Sequence, residues 1–259
     1  MMEAMAAISS EAVVLRTWPV HEADLVVSFF TREHGLLKGI AKSALKSRKR
    51  FGGALEPMTV ARAWFAEKPR QELVRLDQLE ILASPLSAPV SHARLAVLSF
   101  FAELLDESLP EHDPQETVFR LLVAVLDQLG IGQNGSPAGA LSEPWMALTY
   151  FQLWITRLMG LLPGLGQCTT CGDPLHAEEV YFHPHQDGLF CSLHRGLGAH
   201  QLAPDSWQLA QRMLREPVAA FAQEPFPRRR GADLRRFTLQ SLERHLERRL
   251  RSAEALARM

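Results

Sequence analysis

The chain has 259 residues, with 28 Lys and Arg against 29 Asp and Glu, for a formal net charge of −1. Its 47% apolar content fits a globular protein of one to three domains and is too high for a disordered chain. No apolar run reaches the roughly 20 residues that a bilayer span needs. The opening MMEAMAAISSEA lacks the basic and apolar regions of a secretory leader, and three cysteines, an odd number, do not make a disulfide framework. The expected compartment is the cytoplasm.

The near-neutral total hides an uneven distribution. Residues 1–80 hold 12 basic and 10 acidic side chains, residues 81–227 hold 6 and 15, and residues 228–259 hold 10 and 4. Two basic ends thus flank an acidic middle, and each is a candidate phosphate-facing surface.

The first 81 residues alternate in polarity, with turn residues every ten or so positions. They predict five strands, near Ala12–Trp18, Asp24–Thr31, Leu36–Lys42, Leu55–Phe65 and Gln71–Ile81, with turns at Gly35, Gly52-Gly53 and Lys68-Pro69. Five short strands in this length suit a small closed barrel of the OB type. Between the third and fourth strands Lys38, Lys42, Lys46, Arg48, Lys49 and Arg50 place six cations in thirteen positions without an acid. A basic loop between barrel strands can grip a nucleic-acid backbone; the alternative is a solvated, flexible loop. Trp18, Trp64 and Phe65 could stack bases, although burial is the commoner fate of such residues.

After Pro85 the period becomes helical. Ser91 is placed to cap a helix with Leu95, Leu98, Phe101, Ala102 and Leu105 inward. Asp113-Pro-Gln-Glu116 predicts a capping-box start for a second helix through Phe119, Leu122, Val123, Leu126 and Leu129, ended by Gly130. A loop over residues 130–141 follows. Ser142 would cap a third helix with Trp145, Leu148, Phe151, Ile155 and Leu158 inward. Helices resume near Pro204, break around Pro217 and end in a long one carrying Leu234, Phe237, Leu242, Leu246 and Leu250. These stripes read as core. The expected class is α+β: an OB barrel over 1–82, then a helical domain over 83–259 that contains an insertion over 166–197.

That insertion holds every cysteine. Cys168-Thr-Thr-Cys171 and Cys191-Ser-Leu-His194 give C-x2-C-x19-C-x2-H, a spacing within the zinc-knuckle range. A two-residue gap lets one tight turn present two ligands, and a second pair closes a tetrahedron. Thiolate and imidazole are ligands that zinc takes readily. Spacing ranks His194 first as fourth ligand; His176, His183 and His185 remain alternatives, as do three merely buried cysteines. Four protein ligands leave no open position, so the site is expected to be structural. His176-Ala-Glu178 matches the H-x-E of zinc deaminases, but the C-x-x-C precedes it and no proline precedes Cys168. The chain also lacks a phosphate-binding G-x-x-x-x-G-K-[ST] loop, H-E-x-x-H and G-x-S-x-G. No enzymatic activity is expected.

Taken with their order, Glu11-Ala-Val-Val-Leu-Arg16, Glu22-Ala-Asp-Leu-Val-Val-Ser-Phe-Phe-Thr31, Gly35, Lys38-Gly-Ile-Ala-Lys42, Leu55-Glu-Pro57 and the three cysteines resemble the RecO family of bacterial recombination mediators. The resemblance spans essentially the whole chain and is most specific in its N-terminal third. It implies an N-terminal OB fold, a C-terminal helical domain and, where cysteines are kept, a zinc site. It also implies binding of single- and double-stranded DNA, annealing of complementary strands, and RecA loading with RecR onto strands coated by single-strand-binding protein, in the cytoplasm at the nucleoid. Zinc-bearing relatives usually carry a second C-x-x-C where this chain has His194. The basic residues listed above, with Arg228, Arg229 and Arg230, are the expected DNA contacts. A reading from another class is an adaptor whose basic surfaces dock acidic protein segments without touching DNA.

Overall fold

The computed structural model describes residues 7–67, 71–87, 89–132 and 142–259. The Lys68-Pro69 turn and residues 133–141 of the expected long loop lie outside them. By packing the chain divides into two units, one of residues 1–141 with 250–259 and the other of residues 142–249. The change from strand to helix near Pro85 is therefore a change of element type within the first unit.

In the first unit, β1 (Ile8–Pro19), β2 (Leu25–Thr31), β3 (Gly35–Ala41), β4 (Val60–Ala66) and β5 (Val74–Ala83) close a barrel in the order β1-β2-β3-β5-β4. β1 pairs antiparallel with both β2 and β4, and its register against β2 shifts between Val14 and Arg16. The barrel closes through a short parallel contact, Gly39 against Val74 and Ile40 against Arg75. Alternating residues point inward: Ala12 and Val14, Val27 and Phe29, Leu37, Ala61, Ala63 and Phe65, and Leu76. Phe29 and Phe65 meet edge to face at 5.8 Å.

The expected fourth strand starts five residues late. Residues 55–59 turn instead of extending, because Met58 takes a left-handed φ of 68° while its N–H donates to Val14 O at 2.6 Å. The fifth strand begins at Val74 and runs to Ala83.

Two helices follow, α2 (His92–Ser108) and α3 (Glu116–Gln128). Between β3 and β4 lies a one-turn helix, α1 (Arg48–Phe51). Ser91 caps α2 as expected, its hydroxyl accepting from Arg94 N–H at 3.2 Å. Leu95, expected inward, is 44% exposed; the buried face is instead Val97, Leu98, Phe100, Phe101, Leu104 and Leu105. The expected capping box does not form. α3 starts two residues later than Asp113 would require, and the Asp113 carboxylate takes the Gln115 side-chain amide at 2.9 Å. The unit is completed by α7 (Arg251–Ala257), which packs on α2. The Glu103 carboxylate accepts the N–H groups of Arg251 at 3.0 Å and Ser252 at 2.7 Å, closing the start of that helix.

The second unit contains α4 (Pro144–Leu158), α5 (Pro204–Met213) and α6 (Ala232–His245), with a small sheet of β6 (Tyr181–His183), β7 (Gln186–Phe190) and β8 (His200–Gln201) in the order β7-β6-β8. Ser142 does not cap α4; Glu143 holds the cap position and Pro144 the first turn. Leu158 is exposed, while Leu148, Phe151 and Ile155 are buried. Trp154 and Trp207 donate their indole N–H groups to Met213 O and Leu165 O, each at 2.8 Å. The long final helix of the sequence reading is two helices. α6 ends at His245, Glu247 adopts φ 52°, and Leu250 leads into α7 of the other unit. Among the described residues no helix is long and apolar enough to cross a membrane.

Candidate metal centre and nucleic-acid interface

The metal-ligand candidates sit on two knuckles. In the first, Gly172 N–H donates to Cys168 O at 2.9 Å and Cys168 N–H to Asp173 O at 2.8 Å, curling the chain so that both thiols face one point. In the second, His194 N–H donates to Cys191 O at 3.1 Å. The knuckles are joined because Thr169 N–H donates to Leu189 O at 2.8 Å, just ahead of Cys191. This approach requires glycine at 188. Its φ is 119°, and a Cβ there would fall 2.2 Å from Thr169 Oγ1.

The ligand atoms of Cys168, Cys171, Cys191 and His194 all lie within 4.8 Å of one another, and Cys191 Sγ is 3.2 Å from His194 Nδ1. The four residues could hold a metal ion. Tetrahedral zinc at ~2.3 Å from sulfur would set its ligands about 3.8 Å apart, so the set is of the right size. Among the alternatives, His183 is occupied elsewhere: its Nε2 pairs with Leu197 O at 3.0 Å and its Nδ1 accepts His185 N–H at 3.1 Å. His176, His183 and His185 are absent from the cluster.

The thiols do not share their protons equally. Burial pushes the Cys168 thiol up, but hydrogen bonds from the backbone of Cys171, Cys191 and Thr170 outweigh it and bring the pKa to about 6. At Cys171 the Asp173 backbone pulls the pKa down, yet burial and the neighbouring Cys168, Asp173 and Cys191 side chains carry it to about 11. One thiolate forms readily and resists a second beside it. A divalent cation would relieve that repulsion, so the donor set fits such an ion chemically as well as in size.

The basic run divides into cations that are used within the fold and cations that are not. Lys38 lies on β3 and holds Glu111 at 2.5 Å, an interaction that raises its pKa. Arg50 donates to Lys42 O at 2.6 Å and Ser47 Oγ at 3.0 Å, and its guanidinium stacks on Phe51 at 5.0 Å. Lys42, Lys46, Arg48 and Lys49 are exposed and make no ion pair among the described residues. Their loop is anchored from beneath, since Ala44, Phe51 and Ala54 belong to the barrel core. It is also tied to the β1–β2 turn, because Ser43 N–H donates to Asp24 Oδ1 at 2.7 Å and Leu45 N–H to Ala23 O at 3.2 Å. A recess of about 480 Å³ opens beside Lys42, lined by Ile40, Glu72, Leu73 and Arg75.

Of the aromatic candidates, Phe65 is wholly buried and cannot stack a base. Trp18 is half-buried with Arg16 over its ring at 5.1 Å, and Trp64 is half-buried on β4.

In the second unit, Arg228 and Arg235 both stack on Trp145, at 5.4 and 5.3 Å. Arg230 pairs with Glu224 at 2.6 Å and donates to Pro225 O at 2.8 Å, while Arg229 is exposed. The residue that shapes this segment is Arg235, one of the ten cations of residues 228–259. It is buried and donates to Thr149 Oγ1 and Arg230 O at 2.8 Å and to Arg228 O. Burial, helped by the charge on Arg228, lowers its pKa to about 10, so it stays charged at neutral pH. Asp233, a potential partner for these arginines, instead accepts Ala203 N–H at 2.6 Å and Ser206 Oγ–H at 2.5 Å, at the start of α5.

Comparison with known proteins agrees with this arrangement. The family model described as Recombination protein O N terminal matches residues 5–85, and Recombination protein O C terminal matches residues 91–254. The DNA repair protein RecO of Koribacter versatilis (strain Ellin345) is 49% identical over 241 residues, covering 93% of this chain and 94% of that protein. The DNA repair protein RecO of Anaeromyxobacter sp. (strain K) is 34% identical over 245 residues, covering 92% and 91%. That of Synechococcus sp. (strain JA-3-3Ab) is 32% identical over 257 residues, covering 94% and 82%. With both halves matched and relatives aligned from end to end, the chain belongs to the RecO family of DNA repair proteins.

Proposed function

We propose that this chain is a recombination mediator that acts by binding, without turnover of a substrate. It binds single- and double-stranded DNA and brings complementary strands together. With RecR it assists RecA onto single strands coated by single-strand-binding protein, at the nucleoid in the cytoplasm. The observation that carries the reading is the loop between β3 and β4, where Lys42, Lys46, Arg48 and Lys49 stand exposed and unpaired on a backbone fixed by the barrel core. Cations already spent on carboxylates gain little from a phosphate, whereas these four release condensed counterions when they meet one. Annealing needs two strands held at once with their repulsion screened. The exposed Arg229 and Arg236, with Arg228, supply a second basic surface for this role.

Cys168, Cys171, Cys191 and His194 would hold a zinc ion. Four protein ligands leave it no open position, so it would cross-link the two knuckles and take no part in chemistry.

The test is fluorescence titration of a labelled single-stranded oligonucleotide across a salt series. Neutralising Lys42, Lys46, Arg48 and Lys49 to Gln is expected to reduce the slope of log K against log salt by about 2.8, at about 0.7 per phosphate contact. No binding by the unaltered protein at low salt would overturn the reading and leave the basic surfaces to acidic protein segments.

A further inference from the structure

The cationic loop and the β1–β2 turn bonded to it each carry one apolar side chain that the barrel does not use. Leu45, between Lys42 and Lys46, is 62% exposed although its neighbour Ala44 is in the core. Val20, on the β1–β2 turn, is 44% exposed. The two turns are one assembly: Val20 N–H donates to Asp24 O at 3.1 Å, Leu45 N–H to Ala23 O, and Ser43 N–H to the Asp24 carboxylate. That carboxylate is consumed within the scaffold, leaving Glu22 as the exposed acid of the turn. A single exposed apolar residue needs no explanation. Two on hydrogen-bonded turns beside four unpaired cations form a surface with a definite chemistry.

We propose that Leu45 and Val20 are the base-contacting residues of this paired-turn surface and make it select unpaired over paired strands. The inference rests on the DNA-binding role proposed above and deepens it. Its occupant must offer a row of negative charge together with free apolar faces. A duplex offers the first and stacks the second away inside, whereas a single strand offers both. These side chains stand on turns, where an unstacked base can lay one apolar face against them. On this loop the cations supply affinity that ignores whether bases are present, and the apolar pair supplies the term that depends on them.

The experiment compares three probes of equal length and charge per strand: an intact single-stranded oligonucleotide, an abasic one, and a duplex. Leu45→Ala is expected to weaken binding to the intact single strand about fivefold, and Leu45→Ala with Val20→Ala about tenfold, with the salt slope unchanged. Affinity for the abasic strand and the duplex should stay the same. Both residues face solvent, so thermal unfolding should be unaltered, which separates lost contact from lost structure. Equal loss on all three probes, or no loss on the intact strand, would overturn the inference. So would an unaltered protein that binds abasic and intact strands equally well. Failure of the unaltered protein to bind any probe would instead overturn the DNA-binding reading itself.

Discussion

The basic loop of the barrel and the cysteine knuckles of the second unit solve one problem in two ways. Each must hold a solvent-facing turn in a fixed shape. The loop does so by burial: Ala44, Phe51 and Ala54 sink into a core that already contains Phe29 and Phe65, and backbone hydrogen bonds lock the turns above. The knuckles have much less to bury. Cys168 is inside, but Cys171 is exposed, Cys191 is half-buried and His194 is exposed. Beyond the small sheet beneath them, where Val180, Phe182, Leu189 and Phe190 are buried, their shape rests on a few hydrogen bonds and on whatever joins the four ligands. A surface element can be rigid through apolar anchors or through a cross-link, and the choice decides what destroys it.

The sharpest way to break the comparison is to remove the proposed cross-link. Chelation, or Cys168→Ala, is expected to abolish metal binding and loosen the knuckles at residues 168–173 and 191–194 while the barrel stays folded, because the proposed ion is the main link between those turns. Metal content by a chromogenic chelator and hydrogen exchange over both regions would show it. Loss of barrel protection at the same time would refute the distinction. Acidification should act in the same direction. All four ligands must shed protons to bind, so metal should leave progressively as pH falls below neutrality, with DNA binding by the loop little affected at the start of that release.

A smaller effect is expected at Arg235. Replacing it with Ala leaves the buried Thr149 hydroxyl and the carbonyls of Arg228 and Arg230 without their donor, at a cost of about 3 kcal/mol measured by denaturant unfolding. Gly35→Ala should cost the first unit about 2 kcal/mol. Its φ is 72°, and a Cβ would meet Asp113 O at 2.3 Å. The smallest effect is at Lys38. Its pair with Glu111 is more than a third exposed, so Lys38→Gln should change stability by under about 1 kcal/mol. It should also alter the salt slope of DNA binding less than Lys46→Gln does. Equal slopes for the two variants would show that pairing within the fold does not separate spent cations from free ones.

Much of this was legible in the sequence, and the failures have physical causes. Period-two alternation located all five barrel strands because one face of each is buried. The fourth strand was started too early because Leu55 and Met58 are apolar, yet they belong to a turn held against the β1 irregularity at Val14. The grouping of Cys168, Cys171, Cys191 and His194 could be anticipated from spacing, since a two-residue gap is dictated by the reach of a tight turn. Caps were read less well. Ser91 caps its helix, whereas Asp113 and Ser142 do not, because a capping residue is common in loops for other reasons. The division of the cations was beyond local reading. Lys38 and Lys46 look alike in a string of letters, and only the return of Glu111 to the edge of β3 distinguishes them. Arg235 was hidden in the same way, as one arginine among several whose burial depends on α4.

The docking of α7 on α2 bears on biogenesis. The ribosome makes residues 142–249, a complete second unit, before it makes the segment that finishes the first. Throughout that interval the nascent barrel and its two helices wait with the α2 surface that Ala253 and Leu256 will cover still open to water, and with Glu103 lacking the amides it will receive. Maturation of this chain therefore leaves the unit begun first to be sealed last, and a chain cut short at residue 249 would carry every residue of the second unit attached to an unfinished first.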